Sequence, residues 1–311
     1  MGSTLRFRDD GTFTIVQITD THWLNGDEND LRTRELVLRI LQEEAPDFVV
    51  VTGDMIEANK CEQPYESFRR IVSVLDEGGI PWASVFGNHD AENGVTKERL
   101  MEMLRQSPLC LTEAGPEDIS GSGNYTLPLS GSEGEAIAAN LYFLDSGNKS
   151  ETAAKGYNWL RHDQIGWYRE QSRAFAEANG GVPVHSLAFF HIPLPEYAEL
   201  WTRRTCFGRH FDPAFGCAKV NSGFFASVLE MGDISGIFVG HCHGNDFQGD
   251  LYGVRLCHGR PAGYNGYSRE GLLRGARVIR LKQGERGFET WIRQEDGTVD
   301  RQLEPHTPEQ A

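Results

Sequence analysis

Phe13-Thr14-Ile15-Val16-Gln17-Ile18-Thr19-Asp20-Thr21-His22 decides how the chain is read. Its first seven residues form the apolar, β-branched run of a strand buried on both faces, and the run ends in a carboxylate and an imidazole two residues apart. Four more runs end in the same manner: Val51-Thr52-Gly53-Asp54, Phe86-Gly87-Asn88-His89-Asp90, Phe189-Phe190-His191 and Val239-Gly240-His241-Cys242-His243. In open α/β sheets ligands bind outside the carboxyl ends of strands, so five such ends can converge on one crevice. Spacing by two in Asp20-x-His22 and His241-x-His243 turns both side chains the same way if the backbone stays extended. Gly53, Gly87 and Gly240 lack Cβ and permit sharp exits and close backbone approach. Singly, each motif has an ordinary explanation as a turn, a surface pair or a core histidine. Five in succession define a candidate metal centre.

Outward from these runs, strands are expected over 13–19, 48–52, 82–86, 141–144, 184–190 and 234–239. Helices are expected between them over 31–44, 65–77, 97–106, 160–179 and 223–231, where apolar residues recur at intervals of three and four. Alternating strands and helices indicate an α/β fold. The C-terminal third reads as strands over 251–257, 276–281 and 288–293, hence a second sheet or a mixed one with antiparallel edges. No internal repeat or linker divides the chain, so residues 1–300 read as one domain and 301–311 as a polar tail expected to fray.

With 39% apolar residues among 311, the chain can bury a sizeable core. No apolar run approaches the ~20 residues a membrane span needs, and the first residues lack the apolar segment of a secretory signal. The expectation is therefore a cytoplasmic protein without a membrane partner. The 45 acidic residues against 30 basic ones give a formal charge of −15, which argues against long nucleic acid as a partner and requires a local cation to draw any anionic substrate. Six cysteines are too few for a disulfide scaffold; Cys206 and Cys217, bracketing a loop, are the one candidate pair for an oxidising compartment.

The five motifs, in this order, resemble those of the calcineurin-like metallophosphoesterase superfamily. Further segments are similar to the small purple-acid-phosphatase-like branch of plants and fungi: Phe143-Leu144-Asp145-Ser146-Gly147, Gly156-Tyr157-x-Trp159, Phe190-His191-Ile192-Pro193-Leu194-Pro195, Val220-Asn221-Ser222-Gly223-Phe224-Phe225 and Asn245-Asp246-Phe247. The resemblance implies a four-layer α/β/β/α sandwich with two mixed β-sheets and a dinuclear metal site at strand ends. It assigns Asp20, His22, Asp54 and His243 to one metal and Asp54, Asn88, His191 and His241 to the other, with Asp54 bridging. This donor set has oxygen and nitrogen but no thiolate, which suits two divalent ions such as Mn, Fe or Zn. The implied reaction is hydrolysis of a phosphate ester by direct attack of a metal-bound hydroxide.

By the same resemblance His89 faces the leaving group as general acid, with Asp90 as its expected orienting partner. The purple enzymes carry a tyrosine ligand three residues after the bridging aspartate. Here that position is Glu57, which favours two divalent ions over an Fe(III) centre. The segment after His191 is the expected substrate rim, with Arg203, Arg204 and His210 as contacts and Asn221 and Tyr264 as further candidates. Cys242, between two ligands, is read as pointing away. The leading expectation is a phosphomonoesterase; a phosphodiesterase is the alternative, and a scaffold without turnover the rival from another class.

Overall fold

The computed structural model describes residues 5–308. In chain order the elements are β1 (Thr12–Ile18), α1 (Glu28–Glu44), β2 (Phe48–Thr52), α2 (Pro64–Glu77), β3 (Trp82–Val85), α3 (Lys97–Leu104), β4 (Tyr125–Ser130), β5 (Ile137–Phe143), α4 (His162–Ala178) and β6 (Ser186–Phe189). There follow α5 (Glu196–Arg203), β7 (Cys206–Phe207), α6 (Phe224–Met231), β8 (Ile234–Val239), β9 (Gln248–Leu251), β10 (Val254–His258), β11 (Gly275–Lys282), β12 (Phe288–Gln294), β13 (Val299–Asp300) and β14 (Pro305–His306). They form a six-stranded sheet ordered β13-β12-β11-β1-β2-β3 and an eight-stranded sheet ordered β14-β7-β9-β10-β8-β6-β5-β4. Both are mixed: β1, β2 and β3 run parallel while β11 joins β1 antiparallel, and β5, β6, β8 and β10 run parallel between antiparallel edges.

Alternation along the central strands sorts the layers. In β1, Phe13 and Ile15 face the second sheet while Val16 and Ile18 face helices α1 and α2; in β5, Leu141 and Phe143 face the first sheet while Tyr142 packs toward α4 and α6. Three apolar clusters result, one between the sheets and one beneath each helical layer, which gives the expected α/β/β/α sandwich. The β1, β2, β3, β6 and β8 runs all end on the same edge of this sandwich.

Three local expectations change. Residues 251–257 are a hairpin rather than one strand: β9 turns into β10 at Tyr252 and Gly253, with φ of 55° and 83°. Two positive φ values match the twist of a two-residue hairpin, but tyrosine is a poor signal for one. The tail is docked as far as it is described, since β14 pairs with β7, His306 stacks on Trp201 at 3.9 Å and buried Gln302 donates to the Asp246 carbonyl at 2.8 Å. Residues 309–311 lie outside the described residues. All six cysteines are free thiols, so the Cys206 and Cys217 pair is not formed. Among the described residues no helix is long and apolar enough to cross a membrane.

Candidate metal centre

The five strand ends meet. Asp20 and His22 follow β1, Asp54 follows β2, Asn88 follows β3, His191 follows β6, and His241 and His243 follow β8. Four of these seven residues are not extended, because Asp20, His22, Asp54 and His241 have φ of 53°, 43°, 51° and 75°. The alternation argument therefore does not apply to the two x-spaced pairs. The chain curls at each strand end and brings side chains inward by left-handed backbone, a conformation uncommon outside glycine and concentrated at functional sites. Two glycines make room for it. A Cβ on Gly87 would collide with the Asp54 carboxylate, and one on Gly53, itself at φ 86°, would strike the backbone of Gly87.

The side chains fall into two groups. In the first, His22 Nε2 lies 3.0 Å from His243 Nε2, and Asp20 Oδ1 lies 3.3 Å from the latter. In the second, His191 Nε2 lies 3.1 Å from Asp54 Oδ2, 3.2 Å from His241 Nδ1 and 3.2 Å from Asn88 Oδ1. Asp54 Oδ2 is also 3.7 Å from His22 Nε2, so this carboxylate stands between the groups.

The residues present fit cations. The Nδ1 of His191 meets the Thr52 carbonyl at 2.7 Å and that of His243 meets the Tyr267 carbonyl at 3.1 Å; each Nδ1 must donate, which holds Nε2 facing inward as the atom that can ligate. Around His191 Nε2 stand Asp54 Oδ2, Asn88 Oδ1 and His241 Nδ1 at 3.1–3.2 Å, so a proton on that nitrogen can serve only part of the set, whereas a cation between them can be held by all of it. Charge says the same. Burial alone would raise Asp20 and Asp54, yet His243 and His191 beside Asp20, and His191, His22 and His89 beside Asp54, hold both well below the usual carboxylate range. Burial would lower His191 too, but Asp54 and Asp20 push it up to about 9, while burial and then His191 push His241 down to about 3. Two buried carboxylates thus keep one proton on the cluster, the charge that metal binding would displace.

Asp90 does not orient His89. Fully buried, it accepts from the backbone N–H of Gly87 at 2.7 Å, of Asp54 at 3.0 Å and of Ile56 at 3.0 Å. Burial first, then the Asp54 carboxylate, push it up to about 7. The partner of His89 is Glu92, whose Oε2 is 2.8 Å from Nδ1. Successive side chains diverge, whereas three residues on, in the turn after β3, they meet. His89 is half-buried and its own N–H donates to Asp54 Oδ1 at 2.8 Å; burial would lower its imidazole, but Asp54 and Glu92 raise it.

The groups open into a cavity of about 360 Å³ lined by His22, Asp54, His89, His241 and His243 and rimmed by Glu57, Lys60, Tyr157, Asp212, Tyr267 and Arg269. Tyr157 meets the His241 ring edge-on at 4.3 Å, and Tyr267 stacks on His243 at 4.2 Å. Cys242 belongs to the cavity wall, with its thiol buried beside Gly216. None of the five expected substrate contacts lines it. Arg203 ends α5, and Arg204 lies over Tyr252 at 5.2 Å. His210 stacks on Phe215 and bonds Asn245 Oδ1 at 2.7 Å. Asn221 donates to Glu196 at 2.7 Å and caps Gly223, while Tyr264 bonds Glu295 beneath Arg32. The rim residues that replace them sit in loops. Of these, Tyr157 had a sequence signal in the Gly156-Tyr157-x-Trp159 segment and Glu57 in its place three residues after Asp54.

A two-sheet α/β/β/α scaffold with paired N/O donor groups at its strand ends defines a metallophosphoesterase class of protein. The sequence profile of the calcineurin-like phosphoesterase family matches residues 13–245. The chain belongs to that family and is a metal-dependent phosphoesterase. It is 36% identical to an Arabidopsis thaliana protein named "Probable inactive purple acid phosphatase 28", over 92% of this chain and 79% of that one. It is 31% identical to the phosphatase DCR2 of Saccharomyces cerevisiae, over 93% of this chain and 55% of that one. A dimetal phosphatase from Danio rerio shares the fold, with a TM-score of 0.58 at 15% identity over 89% of this chain and 98% of that one.

Proposed function

We propose that the chain hydrolyses small phosphate monoesters at a dinuclear centre. Asp20, His22, Asp54 and His243 would hold one divalent ion and Asp54, Asn88, His191 and His241 the other, with Mn, Fe or Zn matching the donors. The observation that carries this reading is the convergence of imidazole nitrogens, carboxylates and an amide oxygen into two groups, Asp20, His22 and His243 on one side and Asp54, His191 and His241 on the other, with Asn88 Oδ1 3.2 Å from His191 Nε2. When bound, a pair of ions supplies Lewis acidity toward phosphoryl oxygens and lowers the pKa of water.

The chain's own groups provide the rest. Asp20 and Asp54 each subtract one charge from two divalent ions and a hydroxide a third, leaving a net positive charge that would draw the anionic phosphoryl group of an ester. The cavity of about 360 Å³ admits a small ester and excludes a duplex. With His89 Nδ1 held by Glu92, the proton His89 can deliver sits on Nε2, and it serves the oxygen of the leaving group. Every donor position of the motifs is filled and His89 is present, which supports turnover over a scaffold role. The test is p-nitrophenyl phosphate against bis-p-nitrophenyl phosphate with protein reloaded with Mn, Zn or Fe(II). Faster hydrolysis of the monoester is expected. Turnover of the diester alone would move the assignment to phosphodiesterase, and no turnover with both metals bound would leave the scaffold.

A further inference from the structure

Three histidines of the centre turn Nε2 inward, and the outer nitrogen of each must be held if the ring is to stay aimed. His191 and His243 have their Nδ1 on backbone carbonyls, at 2.7 and 3.1 Å. His22 differs: its Nδ1 is buried and has no hydrogen-bond partner. What faces it is Glu57 Oε2 at 3.6 Å, just beyond hydrogen-bond reach, in a side chain that is itself buried.

The backbone sets up this meeting. His22 N donates to the Asp54 carbonyl at 3.0 Å and Trp23 N to the Met55 carbonyl at 2.9 Å, so the curl after β1 is zipped to the segment leaving β2. Glu57, next along that segment, is thereby delivered beside the His22 ring. Its other oxygen is engaged, with Oε1 2.8 Å from Lys60 Nζ. One carboxylate oxygen tied to a rim cation and the second aimed at an unpartnered ring N–H is the arrangement by which an outer carboxylate fixes the tautomer and direction of a ligating imidazole.

We infer that Glu57 is a positioning residue of the metal centre, its carboxylate accepting from His22 Nδ1–H and so holding Nε2 toward the ion shared with Asp20 and His243. The inference rests on the dinuclear reading proposed above. It assigns a role to the position at which the resemblance puts a direct tyrosine ligand: here the acidic side chain stands behind a histidine instead of touching the metal.

The experiment measures metal binding rather than rate. Chelated protein is titrated with Zn(II) against a chromophoric competitor, and with Co(II) while its visible ligand-field bands are recorded, for the wild type, Glu57→Ala, Glu57→Gln and Asp54→Asn. Glu57→Ala is expected to weaken one of the two binding events by about 10–100-fold, the usual effect of removing an outer partner of a ligand, and to shift the Co(II) bands of that event alone. Glu57→Gln keeps an acceptor oxygen and the same shape, so it recovers part of the loss and guards against a folding defect. Two wild-type affinities and unchanged bands in Glu57→Ala would overturn the inference. So would equal losses in Ala and Gln accompanied by a lowered melting temperature of the metal-free protein, which would mark a structural ion pair with Lys60. If Asp54→Asn loses metal while Glu57→Ala does not, only the inference falls; if Asp54→Asn also retains two ions, the dinuclear centre itself is wrong.

Discussion

Asp90 offers the sharpest check on how the centre is held, because the residue adjacent to the proposed acid does its work elsewhere. Its two oxygens accept three backbone N–H groups, from Gly87, Asp54 and Ile56, and all three are buried. An N–H left without an acceptor in the interior costs about 1–3 kcal/mol. Asp90→Ala strands three, so the expected loss is about 3–9 kcal/mol, comparable with the ~5–15 kcal/mol total stability of a domain. Asp90→Asn is the measurable variant. Oδ2 takes Gly87 and Asp54 while Oδ1 takes Ile56, so an amide can keep the first two and must turn its NH₂ on the third. One lost acceptor predicts about 1–3 kcal/mol, read as a lower urea midpoint in metal-free protein. Burial and Asp54 push the carboxyl up to about 7, so its acceptor geometry matters more than its charge. If Asp90→Asn unfolds at the wild-type midpoint yet changes the dependence of rate on leaving group, then Asp90 orients His89 after all and the bracing argument is refuted.

His89→Ala should lower kcat by about 10²–10⁴ with metal content unchanged, and an alkyl phosphate should suffer more than p-nitrophenyl phosphate; equal losses on both would argue against proton delivery. Because Glu57 occupies the place of a phenolate ligand, protein isolated with iron should be colourless or pale; a strong visible band lost on reduction would require another tyrosine at the metal. Acid should destabilise the metal-free protein in part through His185, which bonds Ser235 at 2.6 Å and which burial, then Arg286, push down from 6.5 to about 4. The unfolded chain takes up this proton first, so the contribution is whole above about pH 6.5 and is lost as pH falls toward 4. By pH 5 the loss amounts to about 2 kcal/mol, and His185→Gln should shrink the gap between urea midpoints at pH 7 and pH 5; an unaltered gap would show that His185 titrates alike folded and unfolded.

The gathering of Asp20, His22, Asp54, Asn88, His191, His241 and His243 was legible because each follows a strand whose burial the apolar runs announce, and parallel strands put those ends on one edge. The sandwich was legible for the same reason. How the residues turn inward was not: left-handed backbone at Asp20, His22, Asp54 and His241 follows from contacts across the sheets and leaves no pattern in composition. The rim failed more completely. Arg203, Arg204 and His210 have the charge and lie between two ligand strands, but the arginines stand at the C-terminal end of α5 outside the cavity lining and the His210 ring packs on Phe215. Lys60, Tyr157, Tyr267 and Arg269 come from loops whose paths are set by close approaches such as Gly266 against the His243 ring. In the tail, polarity does not mean exposure. Gln302 is buried with both ends of its amide bonded, to the Asp246 carbonyl and to Arg277.

The strained curls explain why the centre sits on the seam between the sheets rather than on either alone. A left-handed residue other than glycine costs about 1–2 kcal/mol, and four of them would relax unless neighbouring structure over-determined them. The bonds that do so cross the seam. Gln17, on β1, donates to Thr52 at 2.9 Å and to the Val239 carbonyl of the opposite sheet at 3.1 Å; His191, from the second sheet, bonds the Thr52 carbonyl of the first; and the N–H of His241 reaches the Asp20 carboxylate at 3.0 Å. Each ligand group therefore draws donors from both sheets, with His243 joining Asp20 and His22 on one side and Asp54 joining His191 and His241 on the other. Neither group survives a slip of one sheet against the other. The apolar layer of Phe13, Ile15, Phe48, Val50, Phe143, Phe189 and Phe238 that fixes this alignment is thus as necessary to the centre as the donors themselves.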